Sequence, residues 1–338
     1  MRVGVNRMKP MNNKTIIPSW KTFSGTLLVL VLILIPLFFE ASYFVHVLIV
    51  IGIYAILAYG LDLVLGYCGQ FSFSQGAFYG IGAYASALLT LRLGVSFWIA
   101  LPAAAMIASF FGLILGIPSL RLRGHYLAIT TIAFQIIITL VLKQWYSLTE
   151  GTAGLTDIPR PGPIMVPGIT VLQFESEASF YYLILGLALL TALFMARMIK
   201  SRIGRELVAV REDEVLAKTI GINTTKIKVI AFALSAMLAG AAGSFFAHYM
   251  GSLHPASFTI WTSAEVVAMV IIGGRGMFPG PIIGAFILVL LPEYLRVAGD
   301  YKLLLYGMAM VLIITFMPKG IAGTLKEKQV SSLRSQLE

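Results

Sequence analysis

Arg197-Met198-Ile199-Lys200-Ser201-Arg202-Ile203-Gly204-Arg205-Glu206, running on through Arg211-Glu212-Asp213-Glu214 to Gly221 and Lys228, holds eight Lys/Arg and four Asp/Glu. Only 12% of the 338 residues are charged, so a third of the basic residues fall in this one segment. Apolar runs too long and too uncharged for a soluble helix flank it on both sides. The segment therefore lies in water between two membrane-embedded halves, and its positive excess puts it on the cytoplasmic face. Within it, Glu206 to Ile220 has helical spacing. Leu207, Val210, Val215, Leu216 and Ile220 share one face, Arg211, Glu212 and Asp213 lie on others, and Gly221 is a helix stop. Such a helix either docks on a soluble partner or rests on anionic lipid.

The rest of the composition agrees. With 58% hydrophobic residues and a mean hydropathy of +0.89, the chain lacks the polar surface of a soluble globule. A net charge of +10 raises nucleic acid as a partner, but the basic residues concentrate in a few loops, as membrane orientation requires. No nucleic-acid role is expected. Cys68 is the single cysteine, which excludes an intrachain disulfide, a Cys-based zinc site and a redox pair. His46, His125 and His248 have no ligand-like spacing, so no metal site is expected. There is no P-loop, nucleophile elbow or H-E-x-x-H, hence no basis for catalysis.

Apolar runs fall near 23–39, 44–65, 76–92, 95–118, 124–142, 178–196, 229–250, 260–274, 281–298 and 302–318. The first follows five basic residues and no small-residue cleavage site, which reads as an uncleaved helix rather than a signal peptide. Threaded alternately from a cytoplasmic N-terminus, the ten runs leave 20 of the 25 Lys/Arg inside. The fold expected is an all-α, polytopic transmembrane helical bundle of about ten spans (eight to ten), with both termini cytoplasmic. The weakest run, 260–274, carries Glu265 and either crosses or re-enters. An outer loop, 143–177, is rich in Pro and Gly and is either a docking surface or a passive lid. Small-residue stripes (Ala236, Gly240, Ser244 and Ala239, Gly243, Ala247; earlier Gly76, Gly80 and Gly82, Ser86) are close-packing devices.

Two stretches at membrane depth break the helical pattern. Leu63-Val64-Leu65-Gly66-Tyr67-Cys68-Gly69-Gln70-Phe71-Ser72-Phe73-Ser74-Gln75-Gly76 is one. Val270-Ile271-Ile272-Gly273-Gly274-Arg275-Gly276-Met277-Phe278 is a partial echo, with an apolar triplet, G-x-x-G, then Phe. Irregular backbone survives in a membrane only where it is buried in protein or lines a wet cavity, and recurring glycine breaks point to a transport path. Path candidates are Gly66, Tyr67, Gly69, Gln70, Ser72, Ser74, Gln75, Glu265, Gly273, Gly274 and Gly276. Asp62 and Glu265 are the two carboxylates inside spans. Asp62 either reaches water at a span end or has a role; Glu265 lines the path or braces helices.

Gly66-Tyr67-Cys68-Gly69-Gln70-x-Ser72-x-x-Gln75-x-Ala77-Phe78-x-Gly80-Ile81-Gly82-Ala83-Tyr84 resembles the signature of branched-chain amino acid permeases of ABC importers. Leu120-Arg121-Leu122-Arg123-Gly124, Gly151-x-x-Gly154-Leu155, Ser201-Arg202-Ile203-Gly204-Arg205, Ala217-x-x-x-Gly221-Ile222-Asn223 and Met317-Pro318-x-Gly320 extend the resemblance along nearly the whole chain. It is similar to the LivM-type subunit more than to the LivH-type one. The resemblance implies a bacterial inner-membrane heterodimer with a second permease and two cytoplasmic ATP-binding subunits. It also implies an extracytoplasmic substrate-binding protein and a surround of membrane lipid. The chain itself would hold no cofactor, ATP being bound and hydrolysed by the partners. The implied layout is an extension over 1–24, a permease domain over 25–322 with its coupling loop at 197–228, and a tail over 323–338. The 206–221 helix becomes the coupling helix, with Arg211, Glu212, Asp213, Glu214, Ala217 and Gly221 as ATPase-contact candidates. Substrate zwitterions are expected to meet Gln70, Ser72, Ser74 and backbone groups rather than fixed charges. Asp62 stands where the family pattern leads one to expect Asn. Urea, short amides or aromatic acids remain alternative cargoes. An ion-coupled secondary transporter using Asp62 and Glu265 is the alternative of another class.

Overall fold

The computed structural model describes residues 42–119, 122, 124–163, 174, 176–317, 319–325 and 327. The expected first span at 23–39 and the N-terminal extension lie outside them, as do Arg121, Arg123, residues 164–173 of the outer loop and nearly all of the tail.

The long helices are α1 (Ser42–Asp62), α2 (Gln75–Leu93), α3 (Phe97–Ser119), α4 (His125–Gln144) and α5 (Glu177–Lys200). Two short ones follow, α6 (Arg202–Glu212) and α7 (Glu214–Thr219). The chain ends with α8 (Thr224–Met250), α9 (Ile260–Gly273), α10 (Gly280–Tyr294) and α11 (Lys302–Phe316). Among the described residues the only pairing of strand type is an isolated bridge between Leu155 and Leu253. Among the described residues, seven helical segments are long and apolar enough to cross a membrane: Tyr43–Tyr67, Phe97–Ile117, His125–Gln144, Glu177–Lys200, Thr224–Met250, Pro255–Gly273 and Gly280–Val297. The figure of about ten spans is therefore not reached on these terms. Expected spans 76–92 and 302–318 are helical, but α2 falls short in apolarity and α11 has only 15 residues.

The reason for α2 is its place in the fold. It is enclosed on nearly every side, with Gln75, Gly76, Ser86 and Thr90 all buried, so it needs no lipid-compatible face. It packs chiefly against α8, which packs in turn against α3. The small-residue stripes make this possible. A methyl on Gly82 would lie 2.3 Å from the Cα of Gly240, and one on Gly243 would lie 2.1 Å from the carbonyl oxygen of Tyr79. Where lipid offers no hydrophobic drive between helices, such backbone approach is the main source of association energy. Exposed Met106, Phe110, Ile117, Leu190 and Phe316 lie on the outer faces of α3, α5 and α11, where hydrocarbon covers them.

Polar pairs fasten the bundle where loops return to it. Ser244 Oγ donates to Ser86 Oγ at 2.7 Å, Ser86 bonds His248 Nε2 at 3.0 Å, and His248 Nδ1 lies 2.6 Å from the carbonyl of Pro159. That carbonyl can only accept, so Nδ1 carries the proton. With the Leu155–Leu253 bridge, this clips the described start of the outer loop onto the end of α8.

Replacing Gly243 by Ala drives a methyl into main chain and is expected to cost about 1–3 kcal/mol through overpacking. A thermal melt of the purified chain should show a clear drop for Gly243→Ala. None is expected for Gly186→Ala, where a methyl meets nothing within 4 Å.

Candidate functional site

The two glycine-interrupted stretches are the helix breaks that their composition calls for, and they meet. Helix α1 runs into a π-helical turn, Leu63–Tyr67, after which the backbone is irregular until α2 begins at Gln75. Cys68 N–H donates to Leu63 O at 3.0 Å and Gln70 N–H to Val64 O at 2.8 Å, so the chain leaves the helix in a widened turn. The second break lies between α9 and α10. Equivalent glycines of the echo, Gly69 and Gly276, adopt the same left-handed conformation, with φ of 72° and 69°. Only glycine holds that region at no steric cost.

Side chains join the two breaks. The Gly276 N–H donates to Asp62 Oδ1 at 2.8 Å, and Tyr59 Oη donates to the carbonyl of Phe278 at 3.0 Å. Asp62 is fully buried, and its second oxygen, Oδ2, has no hydrogen-bond partner among the described residues. Of the two readings for this carboxylate, reaching water at a span end is thus the one the structure overturns. The approach is close throughout, since a methyl on Gly66 would lie 1.9 Å from Asp62 Oδ1 and 2.4 Å from Gly276 N.

A third element reaches the same point. Arg211, near the end of α6, donates through Nη1 to the carbonyl of Gly66 at 2.8 Å, a residue 145 positions earlier. A methyl on Gly69 would lie 2.9 Å from Arg211 Cγ, and one on Gly276 would lie 2.8 Å from Arg211 Nη1. The guanidinium stem therefore runs between the two left-handed glycines. Its Nη2 and Nε donate to Glu212 Oε1, at 2.6 and 3.1 Å. A charge-assisted bond to an otherwise unpaired carbonyl is worth roughly 1.5–3 kcal/mol.

The charged segment that carries Arg211 is not the continuous 206–221 helix expected. It breaks at Asp213, whose φ of −156° and ψ of 109° are extended. Asp213 Oδ1 accepts from the N–H groups of Val215 and Leu216 at 2.8 and 3.0 Å, so the aspartate caps α7 instead of continuing α6. The break also splits the apolar face. Leu207 and Val210 are buried against the bundle, whereas Val215, Leu216 and Ile220 are exposed by 60%, 60% and 68%.

The six contact candidates divide accordingly. Glu212, Asp213 and Gly221 are exposed, and Gly221 ends the segment at φ 85°. Ala217 is buried, and Glu214 turns inward to Lys228, whose Nζ lies 2.9 Å from Glu214 Oε2 at 1% side-chain exposure. Arg211 is committed to the glycine breaks. The exposed apolar trio of Val215, Leu216 and Ile220 was legible as amphipathic spacing but was absent from the contact candidates.

The path candidates differ in their surroundings. Ser72 and Ser74 are buried and bond each other at 2.8 Å. Gln75 donates to the Leu57 carbonyl at 2.9 Å and accepts from Ser235 Oγ at 3.0 Å. The Gly76 N–H donates to Ser263 Oγ at 2.8 Å, which donates to Gln135 Oε1 at 3.0 Å. These side chains brace the break from within, Ser72 and Ser74 through each other and Gln75 through α1 and α8. Tyr67, Gly273 and Gly274 belong to the break itself, Gln70 is half-buried, and Glu265 lies apart, exposed on α9.

Comparison with known proteins fits this architecture. A family described as "Branched-chain amino acid transport system / permease component" matches residues 43–314. The high-affinity branched-chain amino acid transport system permease protein LivM of Escherichia coli is 37% identical over 286 residues, covering 80% of this chain and 67% of that protein. Its counterpart in Salmonella typhimurium is 36% identical over 289 residues with the same coverage. The LivH permease protein of Escherichia coli is 27% identical over 288 residues, 80% of this chain and 91% of its own. No solved structure matches the chain.

Three substitutions, at two positions, test the junction. Asp62→Asn keeps a carbonyl oxygen for Gly276 and should be tolerated. Asp62→Ala strands the buried N–H and should lower stability by about 1–3 kcal/mol. Gly276→Ala forces a side chain into the left-handed region and should cost about 1–2 kcal/mol. Thermal melts of the purified variants read both.

Proposed function

The chain belongs to the permease components of branched-chain amino acid transport systems, and from that premise we propose that it is one membrane-spanning subunit of an ABC importer for branched-chain amino acids. It sits in the bacterial inner membrane beside a second permease, the two together enclosing the path. Two separate ATP-binding subunits act on it from the cytoplasm, and an extracytoplasmic binding protein delivers the substrate. Similarity to both LivM and LivH proteins, at 37% and 27% identity over the same 80% of the chain, supports a pseudo-symmetric partner.

The observation that carries the coupling half of this reading is the position of Arg211. Helices α6 and α7 offer an ATPase two things at once. The exposed Val215, Leu216 and Ile220 form an apolar knob in a water-facing charged segment. Beside it, a cavity of about 470 Å³ is lined by Arg202, Glu206, Ile220, Gly221 and Lys226. Arg211, one turn before the knob, bonds the first glycine break at Gly66 and lies against the second at Gly276. A push on α7 passes through Asp213 to Arg211, and from there to Gly66 and Gly276. Nucleotide-driven movement of the partner thus reaches the two places where the spans are not helical and can swing. Glu214 and Lys228 keep the segment fixed to the start of α8. Removing one member of so buried a pair costs about 3–5 kcal/mol.

In the purified complex of this chain with its second permease, ATPases and binding protein, ATP-driven leucine uptake is expected. Leu216→Glu, which puts a charge on the knob, should abolish uptake and release the ATPases on gel filtration. Retained ATPase binding and uptake in Leu216→Glu would rule out this docking surface. Arg211→Met should keep the ATPases bound but lose uptake.

A further inference from the structure

Away from the glycine junction, α1, α9, α10 and α11 line a half-open cavity of about 320 Å³. It holds two opposite charges, Glu265 on α9 and Lys302 at the start of α11. They do not pair with each other: among the described residues no ion pair joins them. Glu265 Oε2 accepts from Tyr54 Oη at 3.1 Å, which fixes the carboxylate's direction, while Oε1 and the Lys302 ammonium have no hydrogen-bond partner among the described residues. Leu288, Val289, Val50 and Met269 supply aliphatic walls, and the ring of Tyr306 closes one side.

An exposed carboxylate on a spanning helix is costly against lipid, and it persists where water or a ligand compensates it. One anion, one cation and an aliphatic wall in one small cavity are complementary to one kind of molecule. We propose that this cavity is a subsite for an aliphatic α-amino acid in its zwitterionic form. The ligand's ammonium meets Glu265, its carboxylate meets Lys302, and its branched side chain lies on Leu288 and Val289. The inference rests on the importer reading and deepens it, because it moves recognition from the seryl and glutaminyl groups of the break to fixed charges. It also separates cargoes. A neutral urea or amide would leave both charges uncompensated, so the cavity selects against them.

The test is cysteine protection in membranes holding the full chain and its second permease, without ATP or binding protein. Cys68, the one native cysteine, is replaced by Ser, and Val289→Cys is modified with a small uncharged methanethiosulfonate, whose approach the two charges do not steer. Leucine at about ten times its half-saturating concentration should slow modification about tenfold, as site occupancy requires. Neither 4-methylpentanoate nor isopentylamine, which each lack one charge, should slow it. Glu265→Gln, which keeps an acceptor for Tyr54, should leave the labelling rate unchanged and remove leucine's protection. Lys302→Met should do the same. Absence of protection by leucine, protection that survives both substitutions, or a cysteine that does not react at all would each overturn the subsite. If Val289→Cys fails to insert, Val50→Cys reads the same wall. Uptake with ATP in the same membranes tests the importer reading separately: protection without uptake sinks that reading alone, and uptake without protection sinks the subsite alone.

Discussion

Backbone that leaves the helix inside a membrane must find its hydrogen bonds in protein, because hydrocarbon offers none. That constraint organises this molecule. The breaks at Gly66–Ser74 and Gly274–Pro279 expose main-chain groups, and the chain satisfies key ones with two charged side chains. Arg211 Nη1 takes the Gly66 carbonyl, and Asp62 Oδ1 takes the Gly276 N–H. Each of these bonds joins segments far apart in sequence, so irregular spans become the point at which α1, α6 and α9 are tied together.

The surrounding packing explains why such a junction holds. Helix α8, at 27 residues and about 40 Å by helical rise, is longer than a bilayer core of roughly 30 Å. Its glycines bring α2 and α3 to backbone contact, and its first turn continues into the charged segment through Lys228 and Glu214. The packed centre of the bundle and the charged segment are thus joined through one helix and its leading loop.

Much of this could be read from the chain. Charge density between 197 and 228, small-residue spacing on α8 and the two glycine stretches lead to a helical membrane bundle with two broken spans, as the structure has it. Even the short echo between the stretches proved structural, since Gly69 and Gly276 share a backbone conformation. What could not be read was which polar groups were already spoken for. Ser72, Ser74 and Gln75 have the chemistry of a polar path, but Ser72 and Ser74 bond each other and Gln75 is held by Leu57 and Ser235 from other helices. Arg211, a contact candidate through the family resemblance, is exposed, but its bond to Gly66 spans 145 residues and leaves no local trace in the sequence. Asp213 is a case where one side chain decides: a helical pattern ran through it, yet its carboxylate capped the next turn and split the helix.

The central claim is that Arg211 transmits movement from the charged segment to the glycine breaks. Its most direct measurement is the reactivity of a cysteine at Gln70, in a Cys68→Ser background, within the assembled complex with and without ATP. The account predicts that nucleotide changes the labelling rate at position 70 and that Arg211→Met removes this response while ATP hydrolysis continues. An undiminished nucleotide response in Arg211→Met would contradict it.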